Sequence, residues 1–430
     1  MGKAVELNAS ESVSQSSNGA MAAVALLAAI VYYFSNPKPQ VFYDYTFRVA
    51  GNLLNGKIAF IIPQPTWLNE FVPFEGFYYS VFPLGAVLSM LPFAVLKRIG
   101  MISEMPGAFV AAALAGCSCW LLLKIASRYR LDSTKRVLIS LAILFGTFAW
   151  TNLTFDGAWQ LALGFAMLGE IGAIYFSVYD RRPFIAGIFF AMAFGNRTEV
   201  LLTAPLFFYL STRSEPAAVG TGPLDGEANT AQADKDQTVR RSHKLRILAY
   251  FSVVPFVLGV ATLAYNYVRF HSVSDFGYAR IPGVLEEPWY DHGIFSLYYI
   301  PRQAWEMLLK LWEWKDTFPY LVPNGFSSSI LFSSPFLFLL LRFGARDRIL
   351  KYVSWAAVAI LTLVLWMHGN SGGWQFGYRY AMVLLPWIFI ILLQAAPRRV
   401  TIIEWSLFGF SFLANAYATW LFHWTEYVKP

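Results

Sequence analysis

Four short polar clusters carry the groups in this chain that could do chemistry. The first surrounds Asp44 in residues 41–56 (VFYDYTFRVAGNLLNG), at the start of a helical pattern, with Arg48 four residues on. An acid so placed is a helix N-cap, half of an i,i+4 ion pair, or a general base. The second is Asp156, in a turn of a few residues between two apolar runs. It caps the helix that follows, ligates a divalent cation, or orients an acceptor. The third, Gly195-Asn196-Arg197-Thr198-Glu199, interrupts nearly 30 apolar residues, and irregular backbone inside such a run is tolerated where it lines a cavity. Arg197 there either closes a pair with Glu199 or binds phosphate. The fourth, residues 368–380 (HGNSGGWQFGYRY), holds Trp374, Tyr378 and Arg379 among glycines that let backbone approach a ligand closely. Arg379 then meets a bound phosphate or snorkels to a lipid one. Glu170 is an acid deep inside an apolar run, either protonated and bonded to a neighbouring helix or functional.

The elements that position these clusters are apolar runs. Of 430 residues, 57% are hydrophobic and only 14% charged, where about 25% charged is usual for a soluble domain. That balance excludes a soluble globular enzyme, a disordered chain and an ordinary nucleic-acid binder, despite the net charge of +7. Eleven runs read as spans, at about 20–34, 105–126, 137–152, 157–178, 183–195, 199–211, 247–267, 327–341, 352–367, 380–394 and 400–422. A further stretch, 79–96, reads as a helix lying against or dipping into the membrane, because it carries Pro83 and Pro92 and ends in Lys97-Arg98. The fold class is therefore an all-α polytopic membrane protein of about eleven transmembrane helices, with juxtamembrane helices in two long loops.

Charge sets the expected orientation. With the N-terminus inside, the inner segments hold roughly 19 of the 33 Lys and Arg. Residues 1–19 then form a cytoplasmic tail, 20–422 the membrane module, 212–246 a flexible cytoplasmic loop, and 423–430 a short outer tail. The two long outer loops, 35–104 and 268–326, are dense in Trp, Tyr, Phe and Pro. Within the second, residues 300–314 place Trp305, Leu308, Leu309, Leu311 and Trp312 largely on one helical face, an expected interfacial helix. All four clusters fall at the outer ends of spans, a pattern that favours chemistry at a membrane surface over passage through it. His271, His292, His368 and His423 also fall outside, but none has metal-site spacing.

In order and placement these segments resemble the type C glycosyltransferase superfold, nearest in pattern to protein O-mannosyltransferases and lipid A aminoarabinose transferases. The resemblance rests on an acid after the first span (Asp44) and on Tyr78-Tyr79-Ser80-Val81-Phe82-Pro83-Leu84-Gly85 before an apolar helix. It rests equally on an acid between spans three and four (Asp156), on Arg197 in its break, and on Gly373-Trp374-Gln375-Phe376-Gly377-Tyr378-Arg379-Tyr380. It implies transfer of a sugar from a polyprenyl-phosphate-linked donor to a glycan, lipid or protein acceptor on the non-cytoplasmic face of a bacterial inner membrane. Asp44 would be catalytic. Asp156 would aid binding of substrate or of a divalent metal, and Arg379 with Arg197 would hold the donor phosphate. Arg48, Trp374 and Tyr378 would line the substrate site. The first loop departs from the pattern, with Asp44-Tyr45 in place of an acidic pair. Two other classes stay open, a transporter or flippase of a lipid-linked saccharide and a non-catalytic membrane scaffold.

Overall fold

The computed structural model describes residues 2–37, 43–65, 70–213 and 230–428. The chain is a helical bundle in which, among the described residues, four helices are long and apolar enough to cross a membrane: Gly107–Ala126, Ala158–Tyr179, Arg241–Phe270 and Arg348–Met367. Three shorter apolar helical segments, Asn18–Phe34, Pro183–Asn196 and Arg379–Ala395, accompany them. Each of the eleven expected runs is occupied by helix, and several runs are broken. Their order is α1 (Gly2–Phe34), α2 (Tyr45–Leu54), α3 (Leu84–Arg98), α4 (Gly107–Ala126), α5 (Ser133–Phe145), α6 (Ala149–Thr154), α7 (Ala158–Ile174), α8 (Pro183–Asn196), α9 (Ala204–Thr212), α10 (Thr230–Phe270), α11 (Ile300–Leu308), α12 (Ile330–Ser333), α13 (Arg348–Met367), α14 (Leu385–Ala395) and α15 (Ile402–Trp424).

Proline explains three of the breaks. Pro205, Pro335 and Pro386 lack the N–H that a continuous α-helix needs, and each opens a new helical segment. Tighter 3-10 turns occupy Thr198–Thr203 and Arg379–Leu384 on the upstream side of Pro205 and Pro386. A 3-10 residue advances about 2.0 Å against about 1.5 Å for an α residue, so Arg379–Ala395 spans about 28 Å, close to a hydrocarbon core.

Close helix approach replaces hydrophobic drive where the surroundings are lipid. A β-carbon built on Gly85 of α3 would fall 2.4 Å from the backbone of Gly195 in α8, so these helices touch main chain to main chain. At one end of the bundle α15 begins with a capping box, in which Thr401 N–H donates to Glu404 and Glu404 N–H to the Thr401 hydroxyl. The buried Glu404 carboxylate is also held by Lys135 and Arg342, and this pairing offsets the cost of burying the charge.

The opposite end holds the long loops. Strands β1 (Phe71–Phe74) and β2 (Phe77–Ser80) form a hairpin pairing Phe71 with Ser80 and Phe74 with Phe77. Its turn is Glu75-Gly76, both at positive φ, the backbone a two-residue hairpin turn requires. Arg269 at the end of α10 donates to the Ser80 carbonyl and to Asn266 Oδ1 (2.6 Å), locking hairpin to bundle. This hairpin corrects the expectation of helix from residue 79: alternating aromatics favour strand there, and helix starts at Leu84, just after Pro83. The expected interfacial helix over 300–314 also ends early, at Leu308. Glu313–Trp314 pairs with Leu321–Val322 as a second small hairpin, and Trp312 is buried while Trp305 and Leu311 stay exposed. At the other end, α10 begins at Thr230, inside the segment expected as flexible loop, and α1 begins at Gly2, inside the expected tail. The part of that loop at 214–229 lies outside the described residues.

Candidate functional site

The four clusters converge on the loop-bearing end of the bundle. Asp44 precedes α2, half-buried, and forms an ion pair with Arg48 (Oδ1–Nε 2.7 Å). The Arg48 guanidinium also donates to the Pro65 carbonyl (2.9 Å) and rests 5.2 Å from the Tyr45 and Phe71 ring centres. Burial raises the Asp44 carboxyl above its ordinary value, outweighing the opposite pull of Arg48.

Asp156 sits in the next layer. Its backbone is left-handed (φ 51°), an uncommon conformation that Asp tolerates better than most residues. Its side chain is 2% exposed, and among the described residues Oδ2 has no hydrogen-bond partner. Burial lifts its pKa from 3.8 to about 7. The carboxyl packs on the first residue of α4, where a β-carbon on Gly107 would lie 2.8 Å from Asp156 Cγ. The neighbouring Gly157 faces Tyr43, since a β-carbon there would lie 3.0 Å from Tyr43 Cβ. The Asp44 and Asp156 segments thus adjoin through Tyr43 and Gly157.

Arg379 reaches this layer from the other side. Phe155 packs on Trp374 (ring centres 6.1 Å), and Asn152 exchanges hydrogen bonds with the Phe376 backbone at 2.6 and 3.1 Å. Those contacts hold residues 374–379 against α6. Arg379 is 6% exposed, its backbone N–H donates to Gln375 (2.8 Å), and among the described residues its Nε has no partner. A buried guanidinium N–H without a partner is a ready position for an anionic oxygen. Arg197 is differently placed. Glu199 matches its charge at 2.7 Å, and both Arg197 and Arg379 lie within 5.2 Å of the Tyr380 ring centre.

Tyr380 is also a wall of a cavity of about 790 Å³, within the usual size of ligand sites. Phe82, Trp159, Arg197, Glu199, Tyr278 and His368 line it with Tyr380. The Phe82 ring packs at a tilt on Trp159, three residues after Asp156 (ring centres 4.2 Å), and on Tyr45, one residue after Asp44 (6.1 Å). The acids therefore stand behind the aromatic wall of the cavity. His368 sits among Tyr278, Tyr290, Tyr380 and Phe295, and burial lowers its pKa, keeping it neutral near pH 7. Its Nδ1 faces the Asn370 carbonyl at 2.7 Å, so the proton is on Nδ1 and Nε2 is an acceptor.

Tyr378 is fully buried, and its hydroxyl donates to Gln303 (2.8 Å), tying the glycine-rich segment to α11. Trp374 packs on Phe155 and Phe422 and, like Asp44, Asp156 and Arg379, adjoins the cavity without being part of its lining. A divalent cation does not fit this donor set. Asp44 is already paired with Arg48, Asp156 offers one carboxylate, and no group of three His, Cys, Asp or Glu is gathered among the described residues. Two groups had no signal in the sequence. Glu70, 3% exposed, accepts the Trp159 indole N–H at 3.3 Å, and Tyr278 joins the cavity wall from loop 268–326. Glu170 is fully buried and accepts the Trp387 indole N–H at 2.9 Å, the bonded alternative for an acid at that depth.

No protein-family model matches the chain, and no curated protein does. Among solved structures, the oligosaccharyltransferase of Archaeoglobus fulgidus in its apo form is similar at 12% identity and a TM-score of 0.40. The likeness covers 94% of this chain and 56% of that one, so the chain spans a little over half its length. A likeness at that level assigns neither site nor function.

Proposed function

We propose that this protein is an integral-membrane glycosyltransferase, moving a sugar from a polyprenyl-phosphate donor to an acceptor hydroxyl on the non-cytoplasmic face. One observation carries the reading: a half-buried carboxylate (Asp44) and a buried one (Asp156) on adjoining segments, with a buried guanidinium whose Nε–H is unpartnered among the described residues, frame the same aromatic-walled end of the bundle. Sugar transfer from a lipid phosphate needs those two functions. The acceptor O–H must lose its proton, and the departing phosphate must have its charge met.

The more accessible acid, Asp44, takes the acceptor proton while the acceptor oxygen bonds to the anomeric carbon. The bond from that carbon to the phosphate oxygen breaks on the opposite face, which inverts the configuration. The leaving lipid phosphate carries the electron pair and is met by Arg379, with Arg197 beside it. Asp156 Oδ2 supplies an acceptor position for a substrate hydroxyl, and aromatic walls such as Trp159 and Phe82 suit the apolar faces of sugar rings. No step uses a metal.

The test is incubation of the purified protein with polyprenyl-phosphate sugars, following loss of the sugar from the lipid. Asp44→Asn should lower turnover by about 10²- to 10⁴-fold, the usual contribution of a general base, while the variant still elutes as a folded species. Wild-type turnover in that variant would remove Asp44 from the mechanism. Absence of sugar loss from every lipid-phosphate sugar tried would remove the transferase.

A further inference from the structure

The far end of the bundle carries a second cavity, of about 450 Å³. It lies about 33 Å from Asp156, the length of the 22 helical residues Ala158–Tyr179 that separate them. Four basic side chains line it, Arg181, Arg182, His243 and Arg246, together with rings that include Phe184 and Tyr250. Among the described residues no carboxylate lines it. Asp180 reaches Arg182 at 3.2 Å, and Asp347 is taken by Arg213 at 2.8 Å. Arg181 donates to the Arg213 carbonyl (2.8 Å), and Arg246 rests over the Tyr250 ring. Among the described residues, neither Arg181 nor Arg246 is paired with an acid.

What lies beside the cavity identifies its occupant. An apolar lane leads away from it along the outer faces of α8 and α10: Phe184 and Ile188 on one helix, Tyr250, Val253, Val257 and Val260 on the other, all exposed. From Tyr250 to Val260 the helix advances about 15 Å, half the thickness of a hydrocarbon core and so the depth of one leaflet. A soluble anion would use the cations and leave the lane bare. An anionic phospholipid uses both, with its phosphate among the arginines and its acyl chains on the lane.

We propose that this cavity binds the headgroup of an anionic phospholipid, independently of the chemistry at the other end. Convergence distinguishes it from general basic decoration of a membrane face. The basic groups come from the segment before α8 and from α10, and those helices meet so closely that a β-carbon on Gly187 would lie 2.1 Å from the Phe251 carbonyl oxygen.

Native mass spectrometry of the full chain in detergent tests this, with phosphatidylglycerol and phosphatidylcholine as probes. Phosphatidylglycerol should be retained preferentially. Arg181→Gln with Arg246→Gln should weaken it by about 25-fold, at about fivefold per cation near a lipid phosphate. Arg246→Gln alone should give about fivefold, and serves if the double variant does not fold. Arg128→Gln with Arg130→Gln removes two exposed charges elsewhere on that face and should leave retention unchanged. Equal retention of the two lipids, an equal loss in the Arg128/Arg130 control, or full displacement by excess inorganic phosphate would each overturn the proposal. The last would make this a site for soluble anions.

Discussion

At the scale of single residues, the two acids differ in how they bear their charge. Asp44 has a cation at 2.7 Å, whereas Asp156 has none and titrates at about 7. The folded chain therefore keeps the Asp156 proton from about pH 4 to about pH 7, where the unfolded chain has lost it. The resulting stability is complete below about pH 4 and is gone above about pH 7, a change of about 4 kcal/mol for a carboxyl raised from 3.8 to about 7. Asp156→Asn cannot ionise. It should melt close to wild type near pH 4 and progressively higher than wild type towards pH 8, measured by thermal unfolding in detergent. A gap that does not change with pH would mean that Asp156 is not held in this buried, unpartnered state. Arg379 makes a different prediction. Its free Nε and its place beside Tyr380 suit a donor phosphate, so Arg379→Ala should raise the donor KM at least tenfold, the value of one charge-assisted hydrogen bond. An unchanged donor KM with lowered turnover would move Arg379 from binding the donor to the transition state alone.

At the scale of elements, the glycine contacts decide where the cavity wall stands. Helix α3 begins directly after Phe82 and Pro83, which line the cavity, and it rests on α8 through Gly85 and Gly195. Gly85→Ala puts a methyl group where backbone already is. Overpacking of this kind costs about 1–3 kcal/mol, so the variant should melt several degrees lower, and donor KM should rise as Phe82 shifts. An unchanged Tm would place α3 away from α8. The runs of apolar residues were readable because a membrane demands about 20 of them, whereas the helix restarts at Pro205, Pro335 and Pro386 were not, since each proline lies inside a run read as one span. The hairpins were not readable as strands, because Phe71–Ser80 is short and its aromatics serve either period. The acid at 44 and the arginine at 379 stood out by type and neighbours. Glu70 did not, since only the packing of Trp159 against it gives it a place in the site. Tyr378 stood out for its neighbours too, yet its hydroxyl is spent on Gln303. Sequence reports that a group is present in a segment, and only packing reports which way it faces.

At the scale of the whole molecule, the helix ends sort into two unlike faces. Asp44, Asp156, Arg379 and His423 gather where α1 ends and α7 begins: Trp150 and Trp424 both donate to Ser35, and Thr154 meets His423 at 2.8 Å. The other face carries Arg128, Arg130, Arg181, Arg182, Arg398 and Arg399, largely exposed. Short loops rich in Lys and Arg stay on the cytosolic side during insertion, so this basic face should be cytosolic and the acid-bearing face external. Single cysteines report the arrangement in a Cys117→Ala, Cys119→Ala background. Asp316→Cys, exposed in the second long loop, should react with a membrane-impermeant maleimide on intact cells. Arg130→Cys should react only after the membrane is permeabilised. The opposite pattern would turn Asp44 and Arg379 towards the cytosol, where a polyprenyl-phosphate sugar presented on the external leaflet could not reach them, and the proposed transfer would fail for want of a donor, whatever the geometry of the pocket.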